Sequence, residues 1–217
     1  MKPVAAIVVL VAAAASAVAT ASPPTSLVVV PGTVTRGHTL TIRGRVGSCS
    51  VADTVTLISR AFVHTHDFAG LPAVFANVRP GGKFQTETRI PATKAPGSYR
   101  VTGRCGGGNL GVSATVRVAA PASIVVSPAA VQRGHSVTLR GSAGECPAGD
   151  AVTLISPAFV HTHDFAGLPA VFARVRASGT YRTTSRIPPT KPARRYGITA
   201  RCGGGNFGIV AHLRVLP

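Results

Sequence analysis

Tryptophan is absent from the 217 residues, and there are only 3 Tyr and 8 Phe. Single-stranded nucleic acid and sugar rings are commonly held by stacking on aromatic side chains, so recognition of either kind has little to build on. Acidic residues are as scarce, with 6 Asp+Glu against 23 Lys+Arg and a formal charge of +17. The paired carboxylates of a glycosidase would have to come from those few acids. No Cys-x-x-Cys spacing offers a zinc ribbon, and no Gly-x-Ser-x-Gly elbow offers a serine nucleophile. Helical periodicity is missing beyond the N-terminal apolar stretch.

That stretch has the pattern of a leader. Met1, Lys2 and Pro3 precede an uncharged run from Val4 to Val18, which ends in Ala19-Thr20-Ala21. A basic start, a short apolar segment and small residues before the break describe a secretory signal peptide over residues 1–21, cleaved after Ala21. At about 15 residues the run falls short of the roughly 20 that a membrane span needs, and no later stretch is expected to cross a bilayer. Removing Lys2 leaves 22 basic and 6 acidic side chains, or +16, on an exported chain.

A shift of 97 positions places Gly37-His38 on Gly134-His135, Cys49 on Cys146, His64 on His161 and Cys105 on Cys202, without a gap. Of the 95 aligned positions from Ser26/Ser123 to Ala120/Pro217, 56 are identical. Between Val55/Val152 and Ala76/Ala173 only Arg60/Pro157 differs. Units of this length are too long for solenoid repeats and read as two domains, 22–120 and 121–217. Ala119-Ala120-Pro121-Ala122 is the expected linker, stiffened by its proline.

Within the first repeat, Val, Thr and Ile alternate with period two between Gly/Pro turns, predicting strands near 27–30, 39–46, 54–59, 73–78, 84–90, 99–105 and 112–118. Leu40 and Ile42 alternate with Thr41, Arg43 and Arg45, so one face of each strand is core and the other is solvated. The expected fold is all-β: two tandem immunoglobulin-like antiparallel sandwiches of about seven strands, each with one disulfide. Four Cys in an exported chain allow three pairings, and the repetition favours bonding within repeats, Cys49 to Cys105 and Cys146 to Cys202. Closing a span of 105 minus 49, or 56 residues, stabilises each domain by roughly 4 kcal/mol in the chain-entropy treatment.

The run Pro96-Gly97-Ser98-Tyr99-Arg100-Val101-Thr102-Gly103-Arg104-Cys105, with Arg36-Gly37-His38-Thr39-Leu40-Thr41-Ile42-Arg43-Gly44 before it, resembles the bacterial immunoglobulin-like domains of secreted actinobacterial proteins. Repeat 2 keeps the Tyr and Cys but opens with Ala193-Arg194-Arg195. Unlike antibody domains, neither repeat has a Trp to pack on the disulfide, and the Tyr lies six residues before the Cys. The resemblance spans both repeats and implies adhesion, envelope or display roles rather than a reaction.

The sharpest chemical feature is Phe62-Val63-His64-Thr65-His66-Asp67-Phe68, repeated unchanged at 159–165. On an extended chain His64 and His66 share one side, with Asp67 near, a donor set suited to Zn or Cu(II); His161, His163 and Asp164 repeat it. The same segment also reads as a polar loop anchored by Phe62, Phe68, Leu71 and Pro72, or as a partner-binding loop. An immunoglobulin-like topology would put the first loop at the pole facing repeat 2, buried there, and leave the second exposed.

A hydrolase is the remote alternative, since His66 and Asp67 are neighbours in sequence and cannot by themselves form a nucleophile, base and orienter line. No catalytic residue is assigned. Cys-Gly-Gly-Gly-Asn, at 105–109 and 202–206, lacks the helix and Lys of a phosphate loop and reads as a turn between the last two strands.

Each repeat carries 11 basic and 3 acidic side chains, or +8. Arg36/Arg133, Arg43/Arg140, Arg89/Arg186, Arg104/Arg201 and Arg117/Arg214 recur at equivalent positions, as does Arg79/Arg176, and the first five pairs are the candidate polyanion contacts. The expected protein is a secreted or envelope-associated, non-enzymatic binding or adhesion module whose partner is an anionic envelope polymer or another protein. An extracellular Zn or Cu binder is the alternative; no other cofactor and no specific nucleic acid is implied.

Overall fold

The computed structural model describes residues 24–217, and the expected leader lies outside them. Repeat 1 forms β1 (Ser26–Val30), β2 (Thr33–Thr35), β3 (Thr39–Arg45), β4 (Thr54–Ile58), β5 (His66–Phe68), β6 (Leu71–Asn77), β7 (Lys83–Arg89), β8 (Gly97–Cys105) and β9 (Gly108–Ala119). Repeat 2 forms β10 (Val125–Ser127), β11 (Ala130–Gln132), β12 (Ser136–Ser142), β13 (Ala151–Ile155), β14 (His163–Phe165), β15 (Leu168–Arg174), β16 (Thr180–Arg186), β17 (Arg195–Cys202) and β18 (Gly205–Leu216). The seven expected strands are present in each repeat. The two additional ones are three residues long, β2 and β5 in the first repeat and β11 and β14 in the second.

Each repeat is a sandwich of a three-stranded sheet, β1-β3-β7 or β10-β12-β16, on a six-stranded one, β2-β9-β8-β4-β6-β5 or β11-β18-β17-β13-β15-β14. At Pro31, which has no N–H to continue the ladder, the chain leaves the small sheet. It then runs as β2 parallel to the last strand, Val34 opposite Val118. The alternation read from sequence is the alternation of burial: Leu40 and Ile42 are 1% and 0% exposed while Arg43 and Arg45 face solvent. Ile42, Leu57, Phe62, Phe84, Val101 and Val116 belong to one closed core, and Leu139, Leu154, Phe159, Tyr181, Ile198 and Leu213 to a second. Two separate cores make two domains. Cys49–Cys105 and Cys146–Cys202 each tie the end of the third strand to the end of the eighth, with Cα atoms 6.2 and 6.0 Å apart.

Aromatic residues lock the strand ends. Tyr99 donates to Ala95 O at 2.7 Å and Tyr196 to Pro192 O at 2.9 Å, pinning the entries to β8 and β17 to carbonyls four residues upstream. Under the first strand the repeats differ: Phe84 fills the site in domain 1, and in domain 2 Tyr181 fills it and donates to Ser123 O at 2.7 Å. Gly44 and Gly141 allow this close approach, since a Cβ there would lie 2.1 Å from Ser26 O or 1.9 Å from Ser123 O.

The domains touch at a short junction. Ala119, expected in the linker, is the buried last residue of β9. The Thr35 N–H donates to Glu145 Oε1 at 2.9 Å, Arg117 donates to Ala177 O at 3.1 Å, and Ser142 Oγ donates to Ala120 O at 3.3 Å.

Burial pushes the Tyr181 hydroxyl up from 10.0 to about 12. A raised phenol favours the neutral form in the fold, so its contribution is complete below pH 10 and is lost as pH rises through about 12. Alkaline denaturation should therefore cost domain 2 about 3 kcal/mol across that window, and Tyr181→Phe should abolish the dependence; an unchanged pH profile in the variant would refute it. A second expectation concerns the β5–β6 turn, where Ala69 and Gly70 have φ of 51° and 76°, a type I′ pattern that favours Asn-Gly. Ala69→Asn with Ala166→Asn, which relieves alanine of a left-handed backbone, should raise each domain's stability by about 1 kcal/mol and Tm by about 4 °C or more in calorimetry. A lowered Tm would contradict that account.

Candidate functional site

The repeated His-Thr-His-Asp segment is not one extended strand. The Ser59 hydroxyl accepts the Ala61 N–H, the chain turns at Phe62, which is buried, and the Val63 N–H donates across to Arg89 O. Only at His66 does pairing resume, with His66 opposite Ala73 and Phe68 opposite Leu71. The two imidazoles consequently part company. His64 Nε2 is hydrogen-bonded to Asp67 Oδ1, whereas the His66 ring lies tilted on Phe75, centroids 4.9 Å apart. Repeat 2 copies both contacts, His161 with Asp164 and His163 on Phe172 at 5.0 Å. The structure therefore brings His64 to Asp67 and His161 to Asp164, and directs His66 and His163 to aromatic partners. Among the described residues the close triad of potential metal ligands is Cys146, Asp150 and Cys202, whose sulfurs are joined to each other. Neither His–Asp pair is hydrogen-bonded to a Ser, Thr or Cys among the described residues.

The expectation that the first loop is buried at the junction is corrected. His64 and Asp67 are 59% and 58% exposed, against 59% and 57% for His161 and Asp164. Domain 2 docks at the β2–β9 edge of the large sheet, through Thr35 and Arg117, and the loop leads into β5 at the opposite edge.

The ten candidate arginines fall into two groups. Arg43, Arg89, Arg133, Arg140, Arg186 and Arg214 are exposed, although Arg89 and Arg186 also use Nε to hold the turn carbonyls of Gly37 and Gly134, at 2.7 and 2.9 Å. Arg36, Arg104, Arg117 and Arg201 are half-buried. Arg104 and Arg201 close the Cys-Gly-Gly-Gly-Asn turns on Gly107 O and Gly204 O and lie 5.3 and 5.1 Å over Phe68 and Phe165. Their guanidinium planes are thus engaged by the fold, as is that of Arg117.

Arg45, Lys83 and Arg182, none of them among those ten, add to the surface. Arg45 stands directly opposite Lys83, and Arg140 directly opposite Arg182, on the outer faces of the two small sheets. Like charges in register destabilise a sheet unless something anionic lies over them. Four of the six carboxylates are engaged elsewhere: Asp53 accepts from Ser50 N, Glu145 from Thr35 N, and Asp67 and Asp164 from histidines, while Glu87 stands on the outer face of the first small sheet opposite Thr41 and Asp150 is exposed. Among the described residues no Lys or Arg forms an ion pair with a carboxylate. Cross-strand register was the missing signal, because sequence alternation shows which residues face out but not which of them meet.

No protein-family model and no curated protein sequence matches the chain. Among solved structures it is similar to the Escherichia coli adhesin FdeC, with a TM-score of 0.53 at 15% identity over 91% of this chain and 65% of that one. It is also similar to Yersinia pseudotuberculosis InvD, TM-score 0.43 at 15% identity over 90% and 57%, and to a tetra-tandem repeat from the extending region of a large adhesion protein, TM-score 0.33 at 16% identity over 88% and 49%. The chain thus spans about two thirds or less of these proteins' lengths. At such identity the likeness to FdeC shows a shared β-sandwich fold and no more.

Proposed function

We propose that the protein is an exported, non-enzymatic binding module of the cell envelope or extracellular space, attached through its basic surface to an anionic polymer. One observation carries the reading: 22 basic side chains, from 23 less Lys2, have no carboxylate partner among the described residues, and two pairs of them face each other across strands. A surface of this kind concentrates polyanions by its summed field, and the attraction weakens with salt. The fold shared with an adhesin, two internal disulfides, the leader pattern and the absence among the described residues of a helix able to cross a membrane all accord with work outside the cell. Phosphate- or carboxylate-bearing envelope polymers are the partners this chemistry suits. The protein should be retained on immobilised heparin and on a teichoic-type polymer at about 0.15 M salt and released by higher salt. Elution in the void volume from both would refute the proposal.

A further inference from the structure

The repeats carry equal charge but place part of it differently. At the pole of domain 1 remote from domain 2, the start of β1, the end of β3 and the start of β7 border a cleft of about 510 Å³. Arg43, Arg45, Arg79 and Lys83 line it beside Val28, which is 46% exposed, and no carboxylate belongs to its wall. In domain 2 the counterparts of Arg45 and Lys83 are Ser142 and Thr180. That pole of domain 2 is the docked one: both residues line the cleft at the junction, and Ser142 holds Ala120 O.

The opposite poles show the reverse. At the free end of domain 2, Arg194, Arg195, His212 and Arg214 line a cleft of about 650 Å³ together with Pro217, the last residue of the sequence, and the Arg194 guanidinium lies 4.8 Å over the Tyr196 ring. The counterparts of Arg194 and Arg195 are Gly97 and Ser98, which line the junction in domain 1. Four positions are therefore small and neutral where they meet the sister domain and basic where they face away from it. Docking explains the small residues. It does not explain the basic ones, because a Gly or Ser would be tolerated equally well in solvent, and clustered like charges repel one another until an anion lies among them. The clefts are also far apart. Arg45 is six residues along β3 from Thr39, about 20 Å, and Arg214 nine residues along β18 from Gly205, about 30 Å, on opposite sides of the junction.

We propose that the two free poles are separate anion-binding clefts, so that one molecule holds two segments of a phosphate- or carboxylate-bearing polymer and cross-links it. This rests on the anionic-polymer reading above and adds the number and position of the sites. Calorimetric titration at about 0.15 M salt with short oligomers of inorganic polyphosphate and, separately, of glutamate distinguishes the two sources of negative charge. Whichever oligomer binds should do so at two equivalents per protein, and its long form should produce turbidity. R45S/K83T and R194G/R195S each install residues that the sister repeat already accommodates. Each should reduce binding to one equivalent and abolish turbidity, and the combined variant should lose binding altogether. Arg100→Thr with Arg174→Asn, which removes two charges away from the free poles, should keep both equivalents. A single equivalent in the unaltered protein, two equivalents in both polar variants, or an equal loss in the off-pole variant overturns the inference while the anionic-polymer reading stands. Failure of the unaltered protein to bind either oligomer overturns both.

Discussion

Charge imbalance is the constraint to which the rest of the surface responds. With 6 carboxylates for 23 Lys and Arg, the chain cannot neutralise itself by ion pairs. Four of the six acids serve local geometry instead: Asp53 a turn, Glu145 the junction, Asp67 and Asp164 the histidines. The arginines find neutral partners. Arg89 and Arg186 clasp turn carbonyls, Arg104 and Arg201 combine a carbonyl with an aromatic face, and Arg117 reaches across to domain 2. Guanidinium suits these tasks, because it remains charged, forks its donors and stacks on rings. Cations without even a neutral partner include Arg45 and Lys83 on one small sheet, Arg140 and Arg182 on the other, and Arg100 and Arg174 on the large sheets.

Duplication sharpens this logic, since the same backbone meets two environments. The third-strand end is solvent-facing in domain 1 and docked in domain 2, and its residue changes from Arg45 to Ser142. The start of the eighth strand is docked in domain 1 and free in domain 2, and Gly97-Ser98 becomes Arg194-Arg195. Other positions of the two copies are held fixed by the fold. Gly44 and Gly141 must both be Gly, because a carbonyl passes within about 2 Å of the missing Cβ, far inside van der Waals contact. Tyr99 and Tyr196 remain Tyr, their hydroxyls tied to carbonyls four residues back.

Most of the fold could be read from one sequence because period-two alternation is a local property. Leu40, Ile42, Val116 and Val118 announce their burial without reference to any partner strand. The pairing of cysteines was equally accessible, since each repeat contains two and no more. What escaped was set by contacts between distant residues. β2 is three residues long and owes its assignment to parallel pairing with β9. β5 follows a turn that local pattern does not reveal, so His64 and His66, two apart and on one side of an ideal strand, diverge to Asp67 and Phe75. The placement of the first His loop was misread for the same reason. Connectivity gives the pole at which a loop lies, but not the edge of the sheet, and domain 2 docks at the other edge.

The stretch that the repeats share most fully, from Val55 to Ala76, then has a physical account in which its parts depend on one another. β5 is the terminal strand of the six-stranded sheet, and a bare strand edge invites pairing with another chain. Three residues of strand, with His66 and Asp67 as its exposed side chains, leave little edge to copy. Phe68 cannot be buried so close to the rim, and Arg104 covers it; Phe75 is 44% exposed, and His66 covers part of it. His64 holds Asp67 and closes the loop that leads from β4 into β5. Changing any one of these residues exposes a ring or frees the edge, which accords with their identity in the two copies. The pole residues Arg45, Lys83, Arg194 and Arg195 belong to no such network, and they are positions at which the two copies diverge.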